Sequence, residues 1–158
     1  EQGSYEVTLQ PVALLPLIQR ILLDNRSWIE RKRIKNVITI DGQPLQEQDG
    51  FTVLGEGTLC YTMLANLYKN ALEASAAGQT VTIALQNGTM AQIGIHNHGA
   101  VPETIRDNFF EKYVTHGKRG GTGLGTYSAR LMAETQHGGI SLSTADAEGT
   151  TITVTLRQ

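Results

Sequence analysis

The stretch Leu64-Ala65-Asn66-Leu67-Tyr68-Lys69-Asn70-Ala71-Leu72-Glu73-Ala74 decides how this chain is read. It lies inside a predicted helix over 59–77, where Cys60, Leu64, Leu67, Ala71 and Ala74 share one face and Gly78 is placed as the glycine that ends it. Asn66, Asn70 and Glu73 follow at i, i+4 and i+7 and line one edge of that helix, beside the apolar stripe. Asparagine is a poor helix former, because its side chain competes for backbone hydrogen bonds. Two of them at one helical spacing therefore call for a reason. An asparagine offers a neutral carbonyl oxygen that can sit on Mg²⁺ while phosphates supply other ligands, and magnesium sites commonly use few protein oxygens. The bland alternative is an ordinary solvated helix edge.

Outward from this helix, hydrophobic periodicity predicts helices interspersed with hairpins. Residues 5–9 alternate like a strand, and Leu14, Leu15, Ile18, Ile21, Leu22 and Leu23 form a helical stripe with Pro16 tolerated in its first turn. The basic run Arg31, Lys32, Arg33, Lys35 suits a helix C-terminus. Strands are expected over 37–40, stopped by Asp41-Gly42, and over 51–54, with a polar loop over 44–50 between them. A hairpin is expected over 81–85 and 90–96 across Asn87-Gly88, a type I′ turn signal. A short helical stretch follows at 104–110. Next comes a helix whose stripe is Leu124, Tyr127, Ser128, Leu131, Met132 and Thr135, closed by Gly138-Gly139. A last hairpin joins 140–144 to 150–156 across 146–149. This layout is not strict β-α-β-α alternation. It predicts an α+β fold, a two-layer sandwich with a mixed β-sheet covered on one face by helices.

Composition excludes several classes. The 158 residues fit one domain, 1–158, with 40% hydrophobic and 18% charged residues. The net charge of -2 gives no sign of nucleic acid as a partner. No run of about 18 apolar residues exists to span a membrane. No signal peptide is visible, and the single cysteine, Cys60, excludes an internal disulfide, so a cytoplasmic setting without membrane contact is expected. The chain begins with Glu1 rather than Met, which reads as a piece of a longer protein.

Two further segments carry candidate chemistry. In Ile95-His96-Asn97-His98-Gly99-Ala100-Val101-Pro102 an apolar strand runs out into a loop at Asn97. A side-chain acceptor there could read the amino group of adenine, and Gly99 would let backbone approach the ring closely. In 115–125, Thr115-His116-Gly117-Lys118-Arg119-Gly120-Gly121-Thr122-Gly123-Leu124-Gly125, five glycines precede a helix. Freed backbone N–H groups and the positive end of a helix dipole bind phosphate, and Lys118 and Arg119 add charge. The segment is not a Walker A loop, since Lys118 is followed by Arg119 rather than Ser or Thr. No strand leads into it, which excludes a dinucleotide fingerprint. Taken singly, each segment is as well explained as a turn or a surface loop.

In order and spacing, however, these segments resemble the ATP-binding domain of histidine kinases, within the wider family shared with gyrase, Hsp90 and MutL. Asn66-Leu67-x-x-Asn70-Ala71 resembles the N box, Asn97-x-Gly99 the G1 box, Phe109-Phe110-Glu111-Lys112-Tyr113-Val114-Thr115 the F box, and Gly121-Thr122-Gly123-Leu124-Gly125 the G2 box. Gly149-Thr150-Thr151 resembles the closing threonine motif. The resemblance covers 59–156 by motif and 5–58 by layout only. It implies a histidine kinase binding ATP and Mg²⁺, with Asn70 as the metal ligand and Asn66 beside metal and phosphates. Asn97 would face adenine, and 115–125 would form a lid over the phosphates, expected to be mobile until a γ-phosphate orders it. ATP contacts are then expected at Asn66, Asn70, Ala74, Asn97, Gly99, Val101, Thr115, Lys118, Gly121, Thr122, Gly123, Leu124, Gly125 and Thr150. The implied partners are a phosphoacceptor and dimerisation domain of the same kinase and a downstream response regulator.

Three positions depart from the family pattern. Asn97 stands where aspartate is usual. The second G1 glycine is absent: either Val101 replaces it or the loop is one residue shorter. Glu73 stands where many members carry a basic or aromatic residue. Gyrase-type and Hsp90-type ATPases place a glutamate base four residues before the metal asparagine, and here that position is Asn66. A serine kinase or an inactive nucleotide-binding module is the remaining relative of the same fold. A zinc site from His96 and His98 with His116 or His137 is the rival outside it, weakened by the lack of a cysteine pair or carboxylate cluster.

Overall fold

The computed structural model describes residues 6–112, 114 and 124–158. In chain order the elements are β1 (Gln10–Ala13), α1 (Leu14–Asp24), α2 (Arg26–Lys32), β2 (Lys35–Ile40), β3 (Gln43–Pro44), β4 (Thr52–Gly55), α3 (Gly57–Ala74), β5 (Thr80–Gln86), β6 (Met90–Asn97), a 3₁₀ turn at Glu103–Ile105, α4 (Gly125–Thr135), β7 (Gly139–Ala145) and β8 (Gly149–Arg157). Six strands form one sheet in the order β3-β2-β5-β6-β8-β7, while β1 and β4 pair separately. The β2–β5 pair is parallel and the other pairs are antiparallel, so the sheet is mixed as expected.

Alternation along the central strands builds the core. Val81, Ile83 and Leu85 of β5, Ala91, Ile93 and Ile95 of β6, and Ile152, Val154 and Leu156 of β8 are buried on one side. They meet Leu14, Ile18 and Ile21 of α1 and Met63, Leu64, Leu67 and Leu72 of α3 in one apolar cluster. Each large aliphatic side chain buried this way contributes about 1.5–3 kcal/mol. Thr82, Thr151, Thr153 and Thr155 alternate with them and are half-buried. The two-layer reading of the sequence holds.

Several local expectations shift. The pairing strand near the start is Gln10–Ala13 rather than 5–9, because Val12 finds Val53 opposite it, whereas residues 6–9 lie in no strand. Helix α3 runs over Gly57–Ala74, not 59–77. Glu56 begins it by accepting from the Leu59 N–H at 2.8 Å, and Ser75 leaves it in extended backbone. Gly78 (φ +83°) turns the chain toward β5 instead of capping the helix, and its N–H donates to Lys32 O at 2.8 Å. The Asn87-Gly88 hairpin forms without a type I′ turn, since neither residue has positive φ. Tertiary bonds shape that loop: Asn87 donates twice to the Asp41 carboxylate, at 2.9 and 2.8 Å, and Gly88 N–H donates to Gln158 Oε1 at 2.8 Å. The stretch 104–110 holds only the 3₁₀ turn and further turns.

Helix α4 has the predicted period but a different phase. Its buried residues are Thr126, Ala129 and Ala133, while Leu131 is 42% exposed. Small side chains face α3 because the two helices pack closely along one another. The helix ends in a left-handed residue, but that residue is His137 (φ +66°), not a glycine. The His137 N–H donates to Glu134 O and the Gly138 N–H to Ala133 O. Gly138 is required for a different reason: a Cβ there would lie 2.0 Å from Thr155 O.

One polar side chain fastens α4 to α3. Gln136 is fully buried. Its Oε1 accepts from Glu56 N–H at 2.8 Å and from Cys60 Sγ at 3.3 Å, and its Nε2 donates to Met132 O at 3.1 Å. A Cβ on Gly55 would stand 2.6 Å from Gln136 Oε1, so the glycine makes room for the amide. Leaving a buried N–H without an acceptor costs about 1–3 kcal/mol. Gln136→Met is therefore expected to destabilise the fold by about 2 kcal/mol, read as a lower urea midpoint at unchanged slope.

Burial pushes the Cys60 thiol up to about 11, and it likewise pushes the Tyr68 phenol, which donates to Asn36 Oδ1, up to about 12. Both folded-state values are raised, so the stability each contributes is fully present below its unfolded pKa and is lost as pH rises through the folded one. Stability should decline first between pH 9.0 and about pH 11, as the thiol ionises more readily in the unfolded chain. Urea midpoints taken across that window should fall for the parent and stay flatter for Cys60→Ala.

Candidate functional site

Three neighbouring strands set one end of the site in a single row. Asn97 ends β6 and pairs with Thr150 of β8, which pairs with Thr144 of β7. Asn97 and Thr150 are each 3% exposed. The Thr150 hydroxyl donates to Gly99 O at 2.7 Å and meets the Thr144 hydroxyl at 2.9 Å, and Thr144 Oγ1 in turn accepts from Val101 N–H at 3.0 Å. Two threonines thus hold the loop after Asn97 by its backbone. The Asn97 amide nitrogen makes a long contact of 3.4 Å to Gly99 O, which directs the donor side of the amide toward the loop.

Glycine is required at two points of this row by close approach. Gly149 has φ +84°, and a Cβ there would lie 2.3 Å from Asn97 O. A Cβ on Gly99 would lie 2.9 Å from Ala74 O and 3.3 Å from Asn97 Nδ2. The approach of Gly99 to Ala74 O brings the loop to the last turn of α3, so Ala74, Gly99, Asn97, Val101 and Thr150 converge. None of these five residues carries an ionisable side chain, so this end of the site offers shape and neutral hydrogen-bonding groups.

The other end lies along α3. Asn66 and Asn70 are half-buried on its edge, and Glu73 and Ala74 are exposed. From Ala74 back to Asn66 the helix axis spans about 12 Å. The end of α3 is itself held: Lys32 Nζ donates to Leu72 O at 2.8 Å and to Ser75 O at 2.7 Å, placing a cation on the negative end of the helix. With Gln136 at the start of α3, α4 leads back along α3 and its first turn faces the later turns. Leu124, which caps α4, offers no side-chain acceptor to the helix, and Gly125 begins it. Thr126 Oγ1 donates to Phe109 O at 3.3 Å and Lys112 Nζ stands 5.2 Å from the centre of the Tyr127 ring, so the Phe109–Lys112 segment is fastened to α4.

The sequence-predicted residues Asn97, Gly99, Val101, Thr150 and Ala74 therefore come together, with Asn66 and Asn70 further along the same helix. Leu124 and Gly125 stand at the start of α4. Thr115, Lys118, Gly121, Thr122 and Gly123, and with them most of the expected lid, lie outside the described residues. Sequence reasoning missed Thr144, Lys32 and Arg106. The hairpin signal at 146–149 already implied that Thr144 sits opposite Thr150. The rival zinc site gains nothing: His96 Nε2 is hydrogen-bonded to Glu148 O at 2.8 Å, and no group of three metal-binding side chains occurs among the described residues.

A mixed sheet under one helical layer, with the end of α3 set against the loop that follows β6, is the architecture of an ATP-binding domain of the type shared by kinases and ATPases. Residues 55–158 match the family described as histidine kinase-, DNA gyrase B- and HSP90-like ATPase, and the chain belongs to it. Aerobic respiration control sensor protein ArcB of Escherichia coli is 30% identical over 112 residues, 66% of this chain and 14% of ArcB. Sensor-like histidine kinase SenX3 of Mycolicibacterium smegmatis is 30% identical over 114 residues, 68% of this chain and 30% of SenX3. The chain thus spans less than a third of these curated relatives. The catalytic domain of histidine kinase ThkA superposes with a TM-score of 0.79 at 22% identity, covering 96% of each chain. ShkA, solved with AMPPNP, gives 0.78 at 18% identity over 98% of this chain and 32% of its own.

Gly99→Ala tests the convergence. The added methyl must displace the loop or the Asn97 amide, and such overpacking costs about 1–3 kcal/mol. Adenine-nucleotide affinity is expected to fall about tenfold or more by titration calorimetry, with the thermal unfolding midpoint lowered by only a few degrees.

Proposed function

We propose that this chain is the Mg-ATP-binding catalytic domain, 1–158, of a sensor histidine kinase, and that it passes the γ-phosphate to a histidine on a separate dimerisation domain in two-component signalling. The observation that carries this reading is the continuity of α3. One helix carries Asn66 and Asn70 and ends at Ala74, whose carbonyl abuts Gly99 beside Asn97. Its relatives support the same reading, being named as sensor proteins and histidine kinases.

The roles follow from donor chemistry. The Asn97 amide oxygen accepts from the adenine amino group, Gly99 and Val101 give the ring a flat approach and an apolar wall, and Thr150 holds the loop that presents them. Amide oxygens half-buried on a helix edge fit a hard cation that takes most of its ligands from phosphates and water, so Asn70, with Asn66 beside it, is the pair that would hold Mg²⁺. The bound ion would offset phosphate charge. The protein's own task is to orient the triphosphate so that its γ-phosphate meets an incoming histidine, with little covalent work of its own. Lys118 and the amides of 121–125 are the proposed phosphate contacts of the lid. A downstream response regulator is the proposed next acceptor.

An ATP-hydrolysing role is the weaker alternative. It needs a base near the metal asparagine, and the residue four before Asn70 is Asn66, an amide that cannot accept a proton. No helix among the described residues is long and apolar enough to cross a membrane.

The domain should bind a nonhydrolysable ATP analogue with Mg²⁺ and hydrolyse ATP only slowly by itself. In a protein that also carries the phosphoacceptor histidine, Asn70→Ala should abolish phosphoryl transfer while leaving the unfolding midpoint close to the parent's. Full transfer activity in that variant, or no heat of binding at millimolar nucleotide, would overturn the assignment.

A further inference from the structure

Val101 is buried, at 8% exposure, yet it lies outside the contiguous apolar core. Its backbone is gripped on both sides. The N–H donates to Thr144 Oγ1 at 3.0 Å, and the carbonyl accepts from Arg106 Nε at 2.7 Å. The same guanidinium reaches out through Nη2 to Asp146 Oδ1 at 3.1 Å, in the turn between β7 and β8. Arg106 is therefore a brace between the loop after Asn97 and the β7–β8 hairpin, and Thr144 and Asp146 belong to that one hairpin. Thr150 Oγ1, opposite Thr144, holds Gly99 O. Apart from the long Asn97 contact to Gly99 O, the hydrogen bonds that hold the 99–101 segment thus come from the β7–β8 hairpin and from Arg106.

We infer that Arg106, with Thr144, is a positioning residue that sets base specificity by fixing Val101 as the apolar wall of the adenine pocket; this rests on the nucleotide reading above. The physical ground is that the backbone polar groups of a buried residue need partners, and those of Val101 find them in Thr144 and Arg106. Val101 has no way to stay buried outside the core unless its peptide groups are held. A guanidinium suits the task because its rigid planar fork fixes the angle between its two bonds, which an ammonium on a flexible stem leaves free. The bonds of Arg106 run to Val101 O and Asp146 Oδ1, which confines its proposed action to the base end.

That confinement supplies the test. Calorimetric affinities for ATP and GTP would be compared in the parent, Arg106→Ala, Arg106→Lys and Asp146→Ala, with thermal unfolding alongside. Arg106→Ala should weaken ATP by about tenfold, as loss of a charge-assisted bond to a buried carbonyl implies. GTP binding, already lacking the base contacts, should change less than about twofold, so the ATP preference narrows. Arg106→Lys should recover only part of the preference. The Asp146 side chain is 88% exposed, so Asp146→Ala keeps the fold even if Arg106→Ala does not, and it should narrow the preference by a smaller factor. Equal losses for ATP and GTP, or full rescue by lysine, would show a merely structural role and overturn the inference. So would an unchanged preference in Arg106→Ala or, should that variant not fold, in Asp146→Ala. A parent that binds neither nucleotide would instead overturn the nucleotide reading itself, together with the inference built on it.

Discussion

The end of α3 is the constraint on which the site depends. A helix terminates with carbonyls that lack partners, and here a lysine from the preceding helix satisfies two of the carbonyls around that end, Leu72 O and Ser75 O. Ser75 adds a bond from its hydroxyl to Ala71 O at 2.7 Å. This terminus is therefore fixed rather than frayed, and the Ala74 carbonyl can serve as a wall against which Gly99 packs without a side chain. Move the end of α3 by one residue and the loop would meet a different surface, and the asparagines would change their offset from the base. Lys32 thus fixes the address of the single carbonyl, Ala74 O, against which Gly99 packs.

The opposite wall is built by a different economy of parts. Asn97, Thr150 and Thr144 occupy three adjacent strands in register, so one row of the sheet supplies the amide proposed to face the base and two hydroxyls for the loop. A sheet is well suited to this, because cross-strand neighbours on one face lie about 4.5–5.5 Å apart and cannot drift independently. The glycines at 99 and 149 are needed because backbone, not side chain, fills the space between these layers.

Much of this was legible from residues alone. The asparagine spacing in α3, the strand running out at Asn97 and the last hairpin are local patterns, and local patterns survive folding. What sequence could not reveal were the contacts made at long separation. Asn87-Gly88 carries a strong turn signal, yet Asp41 and Gln158 decide the loop's shape from elsewhere in the chain. The stripe on α4 was placed one step out of phase because size was taken as the guide to burial, whereas a tight helix pair selects Thr126, Ala129 and Ala133 for their smallness. Gly138 was credited with a turn that His137 makes, since steric exclusion by Thr155 leaves no trace in sequence. Lys32 was read as a cation at a helix C-terminus, but the carbonyls it serves belong to the end of α3 and not to its own helix, and Arg106 carries no signal until its acceptor, the Val101 carbonyl, is seen.

The parallel pairing of β2 with β5 has a further consequence, one of timing. Parallel neighbours cannot be joined by a tight turn, and the connection between these two strands carries β3, β4 and the whole of α3. The helix that bears the asparagines is thus the crossover of the sheet's one parallel step. Its final placement waits on contacts between residues such as Val37 and Thr82, which are far apart in the chain and slow to meet. The antiparallel hairpins β5–β6 and β7–β8 involve near neighbours and can pair early. The strands that carry Asn97, Thr144 and Thr150 thus belong to hairpins of near neighbours, and the helix that carries Asn66 and Asn70 to the crossover that closes over a long separation.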